Sequence, residues 1–196
     1  MGEGSGFIID PAGYVVTNFH VAGHASPLKV TLLDGRELPA KLVGADQRTD
    51  LALPKVGASH PLPTVAFEGS GTPLRVGDVI LAVGNPFELG ANVTASIVSA
   101  RGRDLGAGSY ADCLQTDAAI HPGNSGGPLF GTDGRVIGVN TAIVSPSGGS
   151  VGIGFAIPSD LASKVVAELK DHGSVQRGWM GVELGPTTSP AKPAPG

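Results

Sequence analysis

The sequence predicts an all-β protein made of two successive sets of short strands, followed by a single helix. Short apolar and β-branched runs recur along the chain, and turns rich in glycine, proline and aspartate separate them. One stretch near the C-terminal end carries the apolar spacing of an amphipathic helix. Short strands at such regular spacing are typical of sandwiches and barrels rather than of βαβ units.

The first set of strands is predicted to form one barrel over residues 4–67. Turn residues such as Asp34-Gly35 separate its runs. The predicted strands span residues 6–9, 14–17, 28–32, 37–44 and 51–56. Pro54 interrupts the last run and removes one backbone donor, so we expect it at a sheet edge or at a bulge.

A second barrel is predicted over residues 76–158, after a crossing linker at residues 68–73. Its predicted strands span residues 78–84, 92–100, 112–116, 128–130, 136–142 and 152–156. A helix is predicted over residues 159–173, with Ser159 as its cap, one apolar stripe, and Gly173 at its end. The stripe comprises Leu161, Val165, Val166 and Leu169. These units make one domain over residues 1–184, and residues 185–196 form a Pro- and Ala-rich linker tail.

Length and composition narrow the classes of function. The 196 residues, 41% of them hydrophobic, suffice for one sizeable domain or two small barrels with a shared core. A net charge of −4 without a run of Lys or Arg argues against nucleic acid as the main partner. The first residues lack the charged and apolar regions of a secretory signal, so we expect a leader outside this sequence.

The stretch from His121 to Leu129 places Ser125 among glycines and is typical of a nucleophile loop. Because glycine has no Cβ, Gly123, Gly126 and Gly127 can adopt backbone conformations that are closed to other residues. The N–H groups of Gly123 and Ser125 could then converge on one point as an oxyanion hole, with Asn124 beside them. The alternative is a glycine-rich turn between two strands.

A base and an orienting acid lie upstream of this serine. His20 ends a β-branched run, so we expect it at the end of a strand, and Asp50 begins the apolar run at residues 51–56. The order His20, Asp50, Ser125 is the order of the chymotrypsin triad. The G-x-S-x-G elbow of α/β-hydrolases also fits Gly123 to Gly127, but those enzymes place both partners after the serine.

Several motifs in one order resemble the protease domain of the HtrA/Deg serine proteases. They are Gly4-Ser5-Gly6-Phe7-Ile8-Ile9, Thr17-Asn18-Phe19-His20-Val21, Thr49-Asp50-Leu51-Ala52, Ala82-Val83-Gly84-Asn85-Pro86-Phe87, Gln115-Thr116-Asp117-Ala118-Ala119-Ile120, Gly123-Asn124-Ser125-Gly126-Gly127-Pro128-Leu129 and Gly152-Ile153-Gly154-Phe155-Ala156-Ile157-Pro158. The resemblance covers residues 4–184. It implies a chymotrypsin-like double β-barrel with a C-terminal helix, and an ATP-independent endoprotease of protein quality control without a cofactor.

The resemblance also implies a substrate site. Ala119 stands six positions before the serine, where trypsin has an aspartate, and Ile120 follows it. An uncharged pocket there would favour small or medium aliphatic residues before the cleaved bond. The remaining expected substrate-binding residues are Asn140, Thr141, Ala142 and Ile143. Side chains of this kind are exposed in unfolded or misfolded proteins, which are the substrates we expect.

Other readings of the sequence receive less support. Cys113 lacks flanking glycines and is expected as a small buried hydrophobe rather than as a nucleophile. His20 and His24 are four residues apart but lack the glutamate of a zinc motif, so no metal is expected. A different class of function remains open, namely a holdase-like chaperone that binds exposed apolar segments without cutting them.

The family resemblance also suggests where the full-length protein acts. We expect the bacterial periplasm or cell envelope, and a homotrimer of the full-length protein, although the assembly of this chain alone is open. Any peripheral membrane association would require segments outside this sequence. A peptide-binding PDZ domain usually follows in relatives.

Overall fold

The two sets of strands fold as two separate sheets in the computed structural model. The structure describes residues 3–69, 74–85, 90–103, 112–121, 123–143 and 149–178. The predicted tail at residues 185–196 lies outside these ranges, as does most of the predicted linker. The proposed domain boundaries therefore stay predictions.

The first set forms a five-stranded antiparallel sheet in the order β1-β2-β5-β4-β3. The strands are β1 (Phe7–Asp10), β2 (Tyr14–Asn18), β3 (Leu28–Thr31), β4 (Glu37–Asp46) and β5 (Leu51–Val56), and a one-turn helix, α1 (Phe19–Ala22), follows β2. The second set forms a closed barrel in the order β10-β11-β8-β7-β6-β9. Its strands are β6 (Val79–Gly84), β7 (Asn92–Arg103), β8 (Cys113–Thr116), β9 (Pro128–Gly131), β10 (Val136–Ile143) and β11 (Gly154–Pro158), and the helix α2 (Ser159–His172) ends the fold.

The predicted fold class is confirmed, and the strands begin and end close to where the sequence places them. The pattern is reliable here because short apolar runs alternate with turn residues throughout the chain. One difference concerns the first unit. Its strands form a sheet with β1 and β3 at the edges, and only the second unit closes by hydrogen bonding among the described residues.

Pro54 lies in the centre of the first sheet and not at its edge. β5 pairs with β2 on one side and with β4 on the other. The register between β4 and β5 shifts between Leu42 and Gly44, opposite Pro54 and Leu53. The extra residue of this bulge interrupts the ladder where proline has no N–H to donate. Of the two expected settings for Pro54, an edge or a bulge, the structure shows the bulge.

Helix α2 packs against both sheets. Its buried face comprises Ala162, Val165, Val166 and Leu169. These residues share one cluster with Val16 and Leu51 of the first sheet and with Val139 of the barrel. Burial of apolar surface stabilises roughly in proportion to its area, so this cluster fixes how the two halves sit together.

The ends of α2 confirm one sequence expectation and correct another. Gly173 has a φ of +73° and its N–H donates to the Leu169 carbonyl at 3.0 Å, as expected for a glycine that ends a helix. Pro158 occupies the N-cap position, and no side chain there accepts a capping bond. Ser159 is instead buried in the first turn, so the prediction that it caps the helix is wrong. None of the described helices is long and apolar enough to cross a membrane.

Removal of the Leu169 side chain tests the role of this shared core. Leu169 is 0% exposed, and its change to alanine leaves a cavity between the two halves. We expect Leu169→Ala to lower the free energy of unfolding by about 2–5 kcal/mol in denaturant titration. The exposed Lys164 of the same helix supplies the control, since Lys164→Ala should stay within about 0.5 kcal/mol of the wild type. Equal stability of the two variants would contradict the assigned packing.

Candidate active site

His20 lies in the one-turn helix α1 and not at the end of a strand. β2 ends at Asn18, and the N–H of Gly23 donates to the Phe19 carbonyl at 2.6 Å to close the turn. A Cβ at Gly23 would lie 2.4 Å from the Phe19 ring, so this turn requires glycine for space. The Phe19 ring also contacts the His24 ring edge to face, with 4.9 Å between the centroids. The prediction that His20 ends a strand is therefore wrong, because the strand ends at Asn18 and His20 lies in the helical turn that follows.

Asp50 occupies the turn between β4 and β5 and holds His20 by two bonds. One carboxylate oxygen accepts the backbone N–H of His20 at 3.0 Å. The other lies 2.8 Å from the imidazole Nδ1 of His20. Because a carboxylate only accepts, Nδ1 of His20 is the donor in this bond. In the neutral imidazole, Nε2 therefore keeps its lone pair. This is the tautomer that a general base requires.

The backbone of Asp50 is in the left-handed region, with a φ of +55°. This conformation is unfavourable for a residue other than glycine and persists only where the surroundings enforce it. The Asp50 carbonyl accepts bonds from the N–H of Phe19 at 3.0 Å and from the side-chain amide of Asn18 at 2.9 Å. The turn is thus fixed by the strand that leads into α1.

A partly buried ion pair stabilises the turn between β4 and β5. Arg177, beyond the end of α2, donates from both terminal guanidinium nitrogens to the Asp46 carboxylate, one of them at 2.8 Å. Thr49 donates to Asp46 from its hydroxyl and from its N–H. Burial opposes ionisation of Asp46, but the bonds from Arg177 and Thr49 outweigh it and hold the pKa of this carboxyl below its usual range.

The hydrogen bond to Asp50 raises the pKa of His20 above its ordinary value. This bond is the largest influence, and it exceeds the opposing effect of partial burial. The carboxylate therefore favours the imidazolium, the form that His20 would take on receiving a proton.

Thr141 of β10 joins the Asp50 carboxylate from the barrel side. Its hydroxyl donates to Asp50 Oδ2 at 2.6 Å, so the same oxygen contacts His20 and Thr141. The Thr141 carbonyl accepts the Ser125 hydroxyl at 3.3 Å. Sequence reasoning placed Thr141 only in the substrate set and missed its bond to Asp50, because the two residues are 91 positions apart.

Ser125 is presented by a loop that is held on both sides. The N–H of Gly126 donates to the Asn140 carbonyl at 2.8 Å, and the N–H of Asn140 donates to the Gly127 carbonyl at 2.9 Å. Gly126 has a φ of +85°, and a Cβ there would lie 2.2 Å from the Thr17 hydroxyl. The loop therefore needs glycine at this position for both conformation and space.

The Ser125 hydroxyl points to the Thr141 carbonyl in this structure, and within the described ranges it makes no hydrogen bond to His20. Bonds between catalytic groups are often long or unmade until substrate is bound.

The backbone N–H groups of Gly123 and Ser125 have no hydrogen-bond partner among the residues that the structure describes. They are therefore available to a ligand oxygen. Asn124 differs, since its backbone N–H donates to the His121 carbonyl at 3.0 Å and its side-chain amide donates to the Ala119 carbonyl at 3.4 Å. These bonds engage Asn124 within the loop, and its expected contribution to an oxyanion hole stays a prediction.

The predicted substrate residues divide between the surface and the core. Ala119 is half-buried, as are Ala142 and Ile143 at the end of β10. Ile120 is 2% exposed and packs in the barrel core with Val98 and Leu114. Ile120 is therefore a core residue of the barrel, and its expected contact with substrate stays a prediction.

Three buried asparagines border the site. The side-chain amide of Asn140 donates to the Val83 carbonyl at 3.4 Å, and the amides of Asn18 and Asn124 hold the carbonyls of Asp50 and Ala119. Their buried Oδ1 atoms accept no hydrogen bond from any described residue.

Comparison with known proteins places this arrangement in a family. The trypsin-like peptidase domain family matches residues 4–139. A protein of Brucella suis biovar 1 (strain 1330), described as a "Probable periplasmic serine endoprotease DegP-like", is 59% identical over 187 residues. The match covers 95% of this chain and 36% of that protein. A protein of Bartonella henselae with the same description is 57% identical over 185 residues, which are 94% of this chain and 37% of that protein. The chain thus spans about a third of the length of these curated relatives.

Solved structures agree with this assignment. The HtrA-type protease AlgW with a tripeptide superposes with a TM-score of 0.89 at 52% identity, over 94% of this chain and 61% of that one. AlgW with a decapeptide gives a TM-score of 0.86 at 51% identity, over 92% of this chain and 55% of that one. With its sheet, its barrel and the ordered cluster of His20, Asp50 and Ser125, the chain belongs to the trypsin-like peptidases, among the DegP-like and HtrA-type serine endoproteases.

Proposed function

We propose that this chain is an ATP-independent serine endopeptidase that cleaves unfolded or misfolded proteins after small or medium aliphatic residues. The observation that carries the proposal is the single network of His20, Asp50, Thr141 and Ser125. His20 and Asp50 come from the first sheet, and Ser125 and Thr141 come from the barrel side. The proposed mechanism uses no cofactor, because the side chains of Ser125 and His20 supply the nucleophile and the base and water is the only co-substrate.

In the proposed acylation step, Ser125 Oγ attacks the carbonyl carbon of the substrate peptide bond. His20 Nε2 takes the hydroxyl proton and then gives it to the leaving amine. Asp50 holds the tautomer through Nδ1 and stabilises the imidazolium. The products of this step are the released amine fragment and an ester between Ser125 and the acyl fragment.

In the proposed deacylation step, His20 Nε2 removes a proton from water, whose oxygen attacks the ester carbon. His20 then returns the proton to Ser125 Oγ as the ester bond breaks, and the acyl fragment leaves as a carboxylic acid. Both steps pass through a tetrahedral oxyanion. The N–H groups of Gly123 and Ser125 are the proposed donors to it, and loss of one such donor typically costs about 10²- to 10³-fold in rate. Asn124 stays a predicted member of this set, although its donors hold the carbonyls of His121 and Ala119.

The proposed specificity depends on Ala119 and on the end of β10. Ala119 carries no charge that could pair with a substrate Lys or Arg. Ala142 and Ile143 are half-buried at the end of a strand, where an extended substrate segment could add alongside. Extended segments with exposed aliphatic side chains occur mainly in unfolded chains, which supports quality control as the role.

The setting of the full-length protein is also a proposal. Curated relatives are described as periplasmic, which supports the bacterial periplasm or cell envelope. Unfolded proteins or peptides are the proposed partners, and solved AlgW structures contain peptides. A homotrimer of the full-length protein stays a prediction from the family resemblance.

Fragment analysis tests the proposal directly. An unfolded, reduced protein is incubated with the wild-type chain and with Ser125→Ala, and the fragments are identified by mass spectrometry. We expect cuts after Val, Leu, Ile or Ala in the wild-type digest and none in the variant, because the variant lacks the nucleophile. Ser163→Ala on the exterior of α2 is the matched control and should cut like the wild type.

Two other results would overturn parts of the proposal. Equal cutting by the wild type and Ser125→Ala would exclude Ser125 as the nucleophile. No cutting by either, together with suppressed aggregation of the unfolded substrate, would favour the holdase-like alternative.

The pH dependence of kcat/KM tests the role of His20. Only neutral His20 accepts a proton, so activity should rise with pH through the pKa of this residue in the free enzyme. Because Asp50 raises that pKa, the midpoint should lie above about 6.5. In Asp50→Asn the midpoint should fall and kcat should drop by about 10⁴-fold. A midpoint that does not change in Asp50→Asn would contradict the pairing.

The same pair predicts an opposite trend for stability. A group whose pKa is raised on folding stabilises the folded state fully below its unfolded pKa, and this contribution is lost as the pH rises through the folded pKa. The His20–Asp50 contribution should therefore be present below about pH 6.5 and decline at higher pH. NMR titration of His20 in the Ser125→Ala background measures the shift without self-digestion.

A further inference from the structure

Ser5 contacts the nucleophile loop at two points, although it lies 118 positions from Gly123. Its hydroxyl donates to the Gly123 carbonyl at 2.6 Å. Its backbone N–H donates to the Ser125 carbonyl at 2.8 Å. One residue of the N-terminal segment therefore holds the carbonyls on both sides of Asn124 and Ser125.

We propose that Ser5 is a positioning residue for the proposed peptide-bond cleavage. Its hydroxyl holds the peptide plane between Gly123 and Asn124, which directly precedes Ser125 in the loop. This inference rests on the function proposed above. It assigns to Ser5 no contact with substrate and no proton transfer. Its effect passes through the orientation of the loop backbone.

The three successive peptide planes of this loop are each fixed by hydrogen bonds. In the first plane, between Gly123 and Asn124, the Gly123 carbonyl accepts from the Ser5 hydroxyl and the Asn124 N–H donates to the His121 carbonyl. In the second, the Asn124 carbonyl accepts from the Gly127 N–H at 3.0 Å. A trans peptide is planar and its N–H points opposite to its carbonyl, so this bond aims the Ser125 N–H away from Gly127. No described residue accepts a hydrogen bond from it.

The third plane carries the Ser125 carbonyl, which accepts from Ser5, and the Gly126 N–H, which donates to Asn140. The first plane is the one that depends on a side chain. Gly123 has a φ of +98° and no Cβ to restrict it. Without the Ser5 hydroxyl, the Gly123 carbonyl loses its partner, and only the Asn124 N–H bond to the His121 carbonyl still holds this plane.

The Ser5 hydroxyl also links this loop to the end of β6. Its oxygen accepts the N–H of Asn85 at 2.9 Å while its proton goes to Gly123. The Asn85 side chain in turn accepts the N–H of Gly90 at 2.8 Å. Only a group that donates and accepts at once can complete this chain, and consecutive hydrogen bonds of this kind strengthen one another.

The rest of Ser5 is held independently of its hydroxyl. Its carbonyl accepts the Thr17 hydroxyl at 2.7 Å, and its N–H bond to Ser125 belongs to the backbone. A change confined to the side chain therefore leaves the segment in place. This makes Ser5→Ala a local test of the loop.

The test compares Ser5→Ala and Ser5→Cys with the wild type and with Ser163→Ala as the control. Cysteine nearly matches serine in size but donates weakly. In both Ser5 variants we expect kcat on an aliphatic peptide substrate to fall about 10- to 100-fold, since small misplacements at a reacting centre have effects of this size. KM and the apparent pKa of His20 should stay unchanged, because substrate contacts and the His20–Asp50 pair are untouched.

A second measurement does not require activity. Amide hydrogen exchange is followed at Asn124 in the Ser125→Ala background, with and without Ser5→Ala. The Asn124 N–H is on the same peptide plane as the Gly123 carbonyl, so its exchange should accelerate at least about 10-fold. Exchange in α2 should not change.

The outcomes separate this inference from the proposed function. A Ser5→Ala enzyme with kcat within twofold of the wild type, or unchanged exchange at Asn124, would overturn the positioning role. An equal acceleration of exchange in α2 would do so as well, since it would indicate general destabilisation. If the wild type does not cut but exchange at Asn124 responds as expected, the proposed function fails and the structural role of Ser5 stands.

Discussion

The Asp50 carboxylate is the contact on which the geometry of the site depends. One of its oxygens contacts His20 from the first sheet and Thr141 from the barrel. A displacement of either half by an ångström would break one of these bonds. The unfavourable left-handed backbone of Asp50 is tolerated because the surrounding bonds enforce it. The carboxylate thus sets the tautomer of the base and joins the two halves at the site.

The scaffold around this contact is stiff for two separate reasons. Apolar packing of α2 against both halves fixes their relation over a large area. Polar bonds then fix the individual turns, as Arg177 does through Asp46. Buried ion pairs add little net stability compared with apolar residues of the same size. Their benefit here is the definite orientation that they give to the turn that carries Asp50.

Local sequence patterns predicted the strands and helix α2, because strand and helix periods and turn residues are local signals. His20, Asp50 and Ser125 were chosen from their motifs and their order, and their catalytic roles stay predictions. The one-turn helix at His20 was missed, since it depends on contacts with Asp50, 30 residues away. Ile120 and Asn124 were assigned to functional sets by their place in a motif, yet their side chains serve the core and the loop. The motif containing Ser5 was recognised without a role for the serine, because its partners are distant in the chain.

The contacts that assemble the site join residues far apart in the sequence, 91 positions for Thr141 and Asp50 and 118 for Ser5 and Gly123. Closing such long loops is entropically costly before the surrounding structure exists. We therefore expect these contacts to form late, when the sheet, the barrel and α2 have already met. A newly made or partly unfolded copy then has the residues of the site without their arrangement.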